Sequence, residues 1–252
     1  MSIQYNILAC MAAAALLWAG PTAVPAQNTE AATPAQVQTL KQWQPGYTIS
    51  MSAVKAYGTD RCFTKHPISD NVFRRIYGKS FKTNCTVQRS SLRYLQILHY
   101  NANGQITMGE MICHKDIADD LLSIFRQLFE AKYPIERMEL IDNYNADDIA
   151  SMEANNTSCF NFRHVAGTAK LSNHSLGRAI DLNPLYNPYV KRRKDGTLNV
   201  SPEAGRKYAN RSAKFRYKIT HDDLAYKLFT QHGFGWGGNY KSLKDYQHFE
   251  KP

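Results

Sequence analysis

Leu92-Arg93-Tyr94-Leu95-Gln96-Ile97-Leu98-His99-Tyr100, then Asn101-Ala102-Asn103-Gly104, then Gln105-Ile106-Thr107-Met108-Gly109-Glu110-Met111-Ile112-Cys113 is the stretch that decides the fold. Two runs of strand-forming residues flank an Asn-Gly turn, a pattern that predicts an antiparallel hairpin. Immediately downstream, Ile117, Leu121, Ile124, Phe125, Leu128 and Phe129 form one apolar stripe at helical spacing, from about Lys115 to Lys132, and Pro134 ends it. Working outward, Asp70 to Tyr77 reads as a short helix stopped by Gly78, and Arg137 to Ile141 and Arg178 to Leu182 read as strands. Thr220 is placed to cap a helix running to His232 and stopping at Gly233, before a last strand over Tyr246 to Glu250. Helices and strands interspersed with hairpin chemistry predict an α+β fold with a mainly antiparallel sheet and flanking helices.

At the N-terminus, Ile7 to Trp18 is an apolar run too short to span a bilayer comfortably, and Val24-Pro25-Ala26 offers a small-residue cleavage site before Gln27. Residues 1–26 are therefore read as a signal peptide, which predicts a secreted or periplasmic protein, membrane-anchored if the segment is not cleaved. Residues 27–42, rich in Ala, Thr, Gln and Pro, read as a flexible leader, and 43–252 as one catalytic domain. Beyond residue 26 the chain holds Cys62, Cys85, Cys113 and Cys159, an even number that in an oxidising compartment predicts two disulfides, with three possible pairings. No pair has C-x-x-C spacing, so a cysteine zinc site is not expected.

Two short segments carry the chemistry. Ser172-Asn173-His174-Ser175-Leu176-Gly177-Arg178-Ala179-Ile180-Asp181 and Asp245-Tyr246-Gln247-His248-Phe249-Glu250 bring two imidazoles and several carboxylates. Two His and one Asp can hold a zinc ion with a fourth position open to water, the arrangement of a hydrolytic site. Ser172, Asn173, Ser175 and Gly177 are turn formers, so His174 is expected in a loop that returns into a short strand bearing Asp181. In an ideal strand Asp245 and His248 would face opposite ways, so their convergence requires Asp245 at a strand entrance or a bulge. A carboxylate there would serve as general base. Gly78-Lys79-Ser80 lacks the rest of a phosphate-loop glycine framework, and His66, His99, His114, His164, His221 and His232 lie outside the two segments.

The pattern Ser-x-His-x-x-Gly-x-Ala-x-Asp, followed far downstream by Trp-Gly-Gly and Asp-x-x-His-Phe-Glu, resembles the D-alanyl-D-alanine carboxypeptidase family of zinc peptidases, the VanY-like group that also includes L-alanyl-D-glutamate endopeptidases. The likeness takes in the hairpin and helix, the stretch Asn156 to Arg163, and Asn183-Pro184-Leu185-Tyr186-Asn187-Pro188-Tyr189. It implies a Hedgehog/DD-peptidase-like zinc peptidase fold and hydrolysis of peptidoglycan stem peptides. The resemblance further implies His174, Asp181 and His248 as zinc ligands, Asp245 as base, and Arg163 beside the substrate, stabilising an oxyanion or gripping a carboxylate. Ser172 is implied near substrate, as a donor or a turn former, and Glu250 as the acceptor that orients His248. The family's base is Asp in some branches and Glu in others. A catalytically silent, zinc-bound wall-binding module is the alternative from another class.

The formal net charge is +10, and much of it lies in Lys191-Arg192-Arg193-Lys194 and in Arg206, Lys207, Arg211, Lys214, Arg216 and Lys218. This 191–218 segment is expected to be a loop with a little helix. Behind a signal peptide, such a segment points to an anionic cell-envelope polymer and away from nucleic acid. A monomer is expected.

Overall fold

Asn101 closes the hairpin turn: its Oδ1 accepts from the backbone N–H groups of Asn103 at 2.9 Å and Gln105 at 3.0 Å. The strands on either side, β3 (Leu92–Tyr100) and β4 (Ile106–His114), pair antiparallel along their whole length in a computed structural model that describes residues 32–165 and 167–252. The stretch read as a signal peptide, 1–26, and the first part of the stretch read as a leader lie outside the described residues. Among those described, no helix is long and apolar enough to cross a membrane.

Two short strands complete this sheet, β1 (Thr48–Ile49) beside β4 and β2 (Thr64–Pro67) beside β3. Two further antiparallel sheets of three strands each follow. One has the order β5 (Ala179–Asp181), β10 (His248–Glu250), β8 (Gly235–Trp236), and the other β7 (Leu198–Ser201), β6 (Tyr189–Arg192), β9 (Lys244–Asp245). The helices are α1 (Pro34–Gln42), α2 (Met51–Tyr57), α3 (Asp70–Ile76), α4 (Ala118–Glu130), α5 (Asp148–Glu153) and α6 (Leu224–Gln231). The architecture is α+β with antiparallel sheets, as expected.

The stripe on α4 is what joins these parts. Leu121, Ile124, Phe125, Leu128 and Phe129 are all buried in the larger core, where each side chain withdrawn from water contributes roughly 1.5–3 kcal/mol. Phe125 meets Phe229 of α6 edge-on at 6.1 Å, and Phe229 stacks on Phe249 at 4.4 Å. This aromatic run anchors β10, and with it the two polar residues that flank Phe249, His248 and Glu250.

Four expectations are corrected. Helix α1 begins inside the stretch read as a flexible leader, and Leu40 sits in the core at 1% exposure. Thr33 and Gln36 form a reciprocal capping box, each side chain accepting from the other's backbone N–H, which orders the segment. Residues 137–141 form no strand. Their backbone bonds scatter, Met138 O accepting from Glu110 N and Arg137 O from Thr157 N, so no single ladder forms. Helix α6 starts at Leu224 under an Asp223 cap, because Thr220 O accepts from Asp223 N in a turn ahead of it. The 191–218 segment is a hairpin, β6 to β7, followed by a 3-10 stretch over Glu203–Ala209.

The disulfide expectation fails as well: Cys62, Cys85, Cys113 and Cys159 are free thiols. Cys62 belongs to the larger core while Cys85 packs against the second cluster around Ile76 and Phe160. Cys113 and Cys159 are buried among apolar side chains, and burial raises both thiols, as it lifts Cys62 to about 12. They pack as small apolar residues.

Candidate metal centre

Ser172 starts the site. Its hydroxyl accepts from His174 N at 3.3 Å and caps a 3-10 turn over Asn173–Leu176 that ends at Gly177 in the left-handed region, φ 66°. A side chain on Gly177 would meet His114 N at 2.7 Å, so the turn lies flat on the end of β4 only because this residue lacks one. The chain then enters β5, and Asp181 pairs with His248 across the β5–β10 ladder. Residues placed directly opposite in an antiparallel pair share a face, so strand register alone sets Asp181 and His248 together.

The segment Ser158–Asn161 braces this arrangement from behind. Ser158 and Asp181 exchange backbone hydrogen bonds at 2.9 and 3.2 Å, Phe160 N donates to Ile112 O, and Asn161 N donates to His174 O. Cys159 O accepts from His174 Nδ1 at 2.6 Å, which fixes the tautomer and turns Nε2 toward Asp181 and His248. On the second imidazole the roles of the nitrogens are exchanged: Nε2 donates to Glu250 Oε2 at 3.1 Å, and Nδ1 faces inward.

Three atoms converge. His174 Nε2 lies 3.3 Å from His248 Nδ1 and 3.3 Å from Asp181 Oδ2, and His248 Nδ1 lies 3.1 Å from Asp181 Oδ1. A tetrahedral ion with bonds of about 2.0–2.1 Å sets its ligands roughly 3.3 Å apart, so the donor set fits a zinc-sized cation. Two imidazole nitrogens facing one another and a carboxylate also call for positive charge between them, a metal ion or a proton. Burial opposes the Asp181 charge, yet His174 and His248 hold its carboxyl well below the ordinary range. Burial likewise opposes the His248 charge, but its bonds to Asp181 and Glu250 raise the imidazole to about 10. Both shifts mark a site that attracts cations. Among the described residues no other cluster of His, Cys, Asp and Glu has metal-binding geometry, and His164 does not join it.

Glu250 is itself held from two sides. Tyr240 Oη donates to its Oε1 at 2.6 Å and Asn173 Nδ2 to its Oε2 at 2.5 Å, and the bond to His248 is the first cause of its carboxyl falling to about 2. Tyr240 and Asn173 escaped the sequence reading because hydrogen-bond partners 10 and 77 residues away leave no local pattern. Tyr240→Phe removes one anchor of the carboxylate that orients a ligand. Metal affinity in this variant is expected to fall about tenfold, read by competition with a chromophoric chelator.

Asp245 stands in a different sheet from His248. It pairs with Tyr189 in β9, and the chain breaks between β9 and β10, so the alternation that would have sent the two side chains apart does not apply. Burial lifts the Asp245 carboxyl to about 6, against the pull of the His248 imidazole and with the help of the Asp181 charge. Gln247 Nε2 donates to its Oδ1 at 3.3 Å. Gly237 explains the Trp-Gly-Gly motif: a Cβ there would lie 2.6 Å from Asp245 O, 2.8 Å from Asp245 Cβ and 3.2 Å from His248 Cβ. Gly237→Ala therefore has to displace Asp245 and His248. Turnover is expected to drop roughly 10²-fold, with helix content unchanged by circular dichroism.

Arg163 is tied elsewhere. Its guanidinium pairs with Asp148 of α5, closest at Nε, while its backbone carbonyl accepts from Ser172 N. The loop containing Arg163 thus adjoins the His174 turn, and among the described residues the guanidinium makes no hydrogen bond or ion pair with His174, Asp181 or His248.

Residues 166–251 match the family model described as D-alanyl-D-alanine carboxypeptidase. The match bears out the resemblance carried by the motifs. It includes Ser172, His174, Asp181, Asp245, His248 and Glu250, begins just after Arg163, and leaves the hairpin and α4 outside. Neither the curated proteins nor the solved structures yielded a match.

Proposed function

We propose that this protein is a zinc metallopeptidase that hydrolyses peptidoglycan stem peptides in the periplasm or outside the cell, as a D-Ala-D-Ala carboxypeptidase or an L-Ala-D-Glu endopeptidase. The observation that carries the reading is the inward convergence of His174 Nε2, Asp181 and His248 Nδ1 beside a half-buried Asp245, all within a segment that matches a peptidase family. Zinc held by these three residues supplies Lewis acidity to water and to the scissile carbonyl.

The protein's own groups do the rest. Asp245 takes the proton of the attacking water and passes it to the leaving amine nitrogen, a task suited to a carboxyl raised toward neutrality. Cys159 O and Glu250 hold the two imidazoles in their tautomers. Arg163, its Nε edge against Asp148, has the outer part of its fork left for an oxyanion or a substrate carboxylate. Ser172 keeps the His174 turn in shape.

Mass spectrometry of purified muropeptides incubated with the wild-type protein tests the reading. Loss of terminal D-Ala is the expected result for a carboxypeptidase, a cut between L-Ala and D-Glu that for an endopeptidase, and a chelator should abolish either. A protein that holds stoichiometric zinc and releases nothing from pentapeptide, tetrapeptide or cross-linked material would be a wall-binding module instead.

A further inference from the structure

The sheet that carries Asp245 has a second use. Tyr189 of β6 lies opposite both Asp245 of β9 and Ser201 of β7, and Lys191 lies opposite Asn199. Directly opposed residues share a face, and so do residues two apart on one strand. Asp245, Tyr189, Ser201, Lys191 and Asn199 therefore occupy one face in successive rows. Past the end of the strand, Arg193 Nη2 donates to Asn199 Oδ1 at 3.1 Å and extends the same face outward. The Asp245 charge is near enough to Tyr189 to add to the effect of burial in raising its phenol.

The cations on this arm are not neutralised. Lys191, Arg192, Arg193 and Lys194 are exposed, and among the described residues none has a carboxylate within ion-pair distance. Asp195, the one acid in the arm, is turned onto Thr197, accepting from its backbone N–H at 2.9 Å and its hydroxyl at 2.7 Å. Between Tyr189 and Lys218 there are ten Lys and Arg residues and two acids, so the segment that carries β6 and β7 holds much of the chain's excess positive charge.

We propose that the Asp245-bearing face of this sheet seats an anionic peptide, with Tyr189 beside the scissile bond and Lys191 and Arg193 holding the peptide's carboxylates. The proposal rests on the peptidase reading above and names what selects the substrate. Rows on one strand face are roughly 7 Å apart, which is also the spacing of alternate side chains in an extended peptide laid along it. A stem peptide with free carboxylates at alternate positions matches this ladder, and its amidated counterpart does not.

The test uses two stem peptides, one with free carboxylates and one with the same groups amidated. KM is measured for the zinc-loaded protein, and Kd for Asp245→Asn by fluorescence anisotropy. Wild type should favour the acid peptide about tenfold at low salt, and the preference should shrink as salt screens exposed charges. Lys191→Gln/Arg193→Gln should erase the preference, and Lys191→Arg should keep it. Equal KM and Kd for the two peptides, or a preference untouched by the double variant, overturns the proposal, as does Lys191-dependent binding to anionic vesicles without peptide selectivity. If the acid peptide is bound selectively through Lys191 and Arg193 but never cut, the ladder stands and the peptidase reading falls. Cleavage without selectivity has the opposite meaning.

Discussion

Asp245→Asn, purified with its metal content intact, is expected to cleave stem peptides about 10²- to 10⁴-fold more slowly than wild type, the range that a positioned general base contributes. The amide has nearly the same shape and can still accept from Gln247 Nε2, so the loss reports proton transfer and not collapse of the site. The pH profile gives an independent check. Asp245 works as a base only when ionised, so activity falls as pH drops through its pKa. Burial places that value at about 6 before any cation is bound, and a divalent ion nearby lowers it. The acid limb of wild-type kcat should therefore lie at or below pH 6, and the limb should be missing from the residual activity of the variant. A variant with wild-type turnover would remove Asp245 from the mechanism.

His174→Ala should give the other large effect, through the metal. Four-ligand zinc sites develop about 10–16 kcal/mol, so removing one protein ligand of three costs roughly 3 kcal/mol or more, at least about 100-fold in affinity. Dialysed against micromolar chelator, the variant should retain almost no zinc while wild type stays loaded, and hydrolysis should fall to background. Removing the ring also leaves Cys159 O without the donor 2.6 Å away, a loss of about 1–3 kcal/mol that should show as a lower denaturation midpoint. Full zinc occupancy in this variant would exclude His174 from the ligand set.

The parts of the fold that could be read in the sequence are those whose determinants lie close together along it. The Asn-Gly turn and the stripe on α4 are local, and both formed where expected. Helix α1 was equally local: Thr33-Pro34-Ala35-Gln36 is a capping box with proline in the first turn, a signal outweighed by the Ala, Thr and Gln composition of the stretch. Residues 137–141 misled because alternating buried side chains do not require a ladder. At the site, His174, Asp181 and His248 were legible through motif spacing, and their convergence rests on one register, Asp181 against His248. The pairing of Arg163 with Asp148, the anchoring of Glu250 by Tyr240 and the press of Gly237 against Asp245 depend on tertiary approach, which neither periodicity nor residue type encodes.

That same register has a thermodynamic consequence. Two donors locked in one strand pair and a third pinned by a backbone carbonyl are preorganised, so loading changes the charge at the centre far more than the shape around it. The binding energy is then not spent on folding, in contrast to small zinc modules that unravel when stripped. Chelated protein should remain native and recover on adding back the ion. Which divalent cation occupies it would follow supply and the general affinity order, since a rigid pocket with one carboxylate and two imidazoles accepts several.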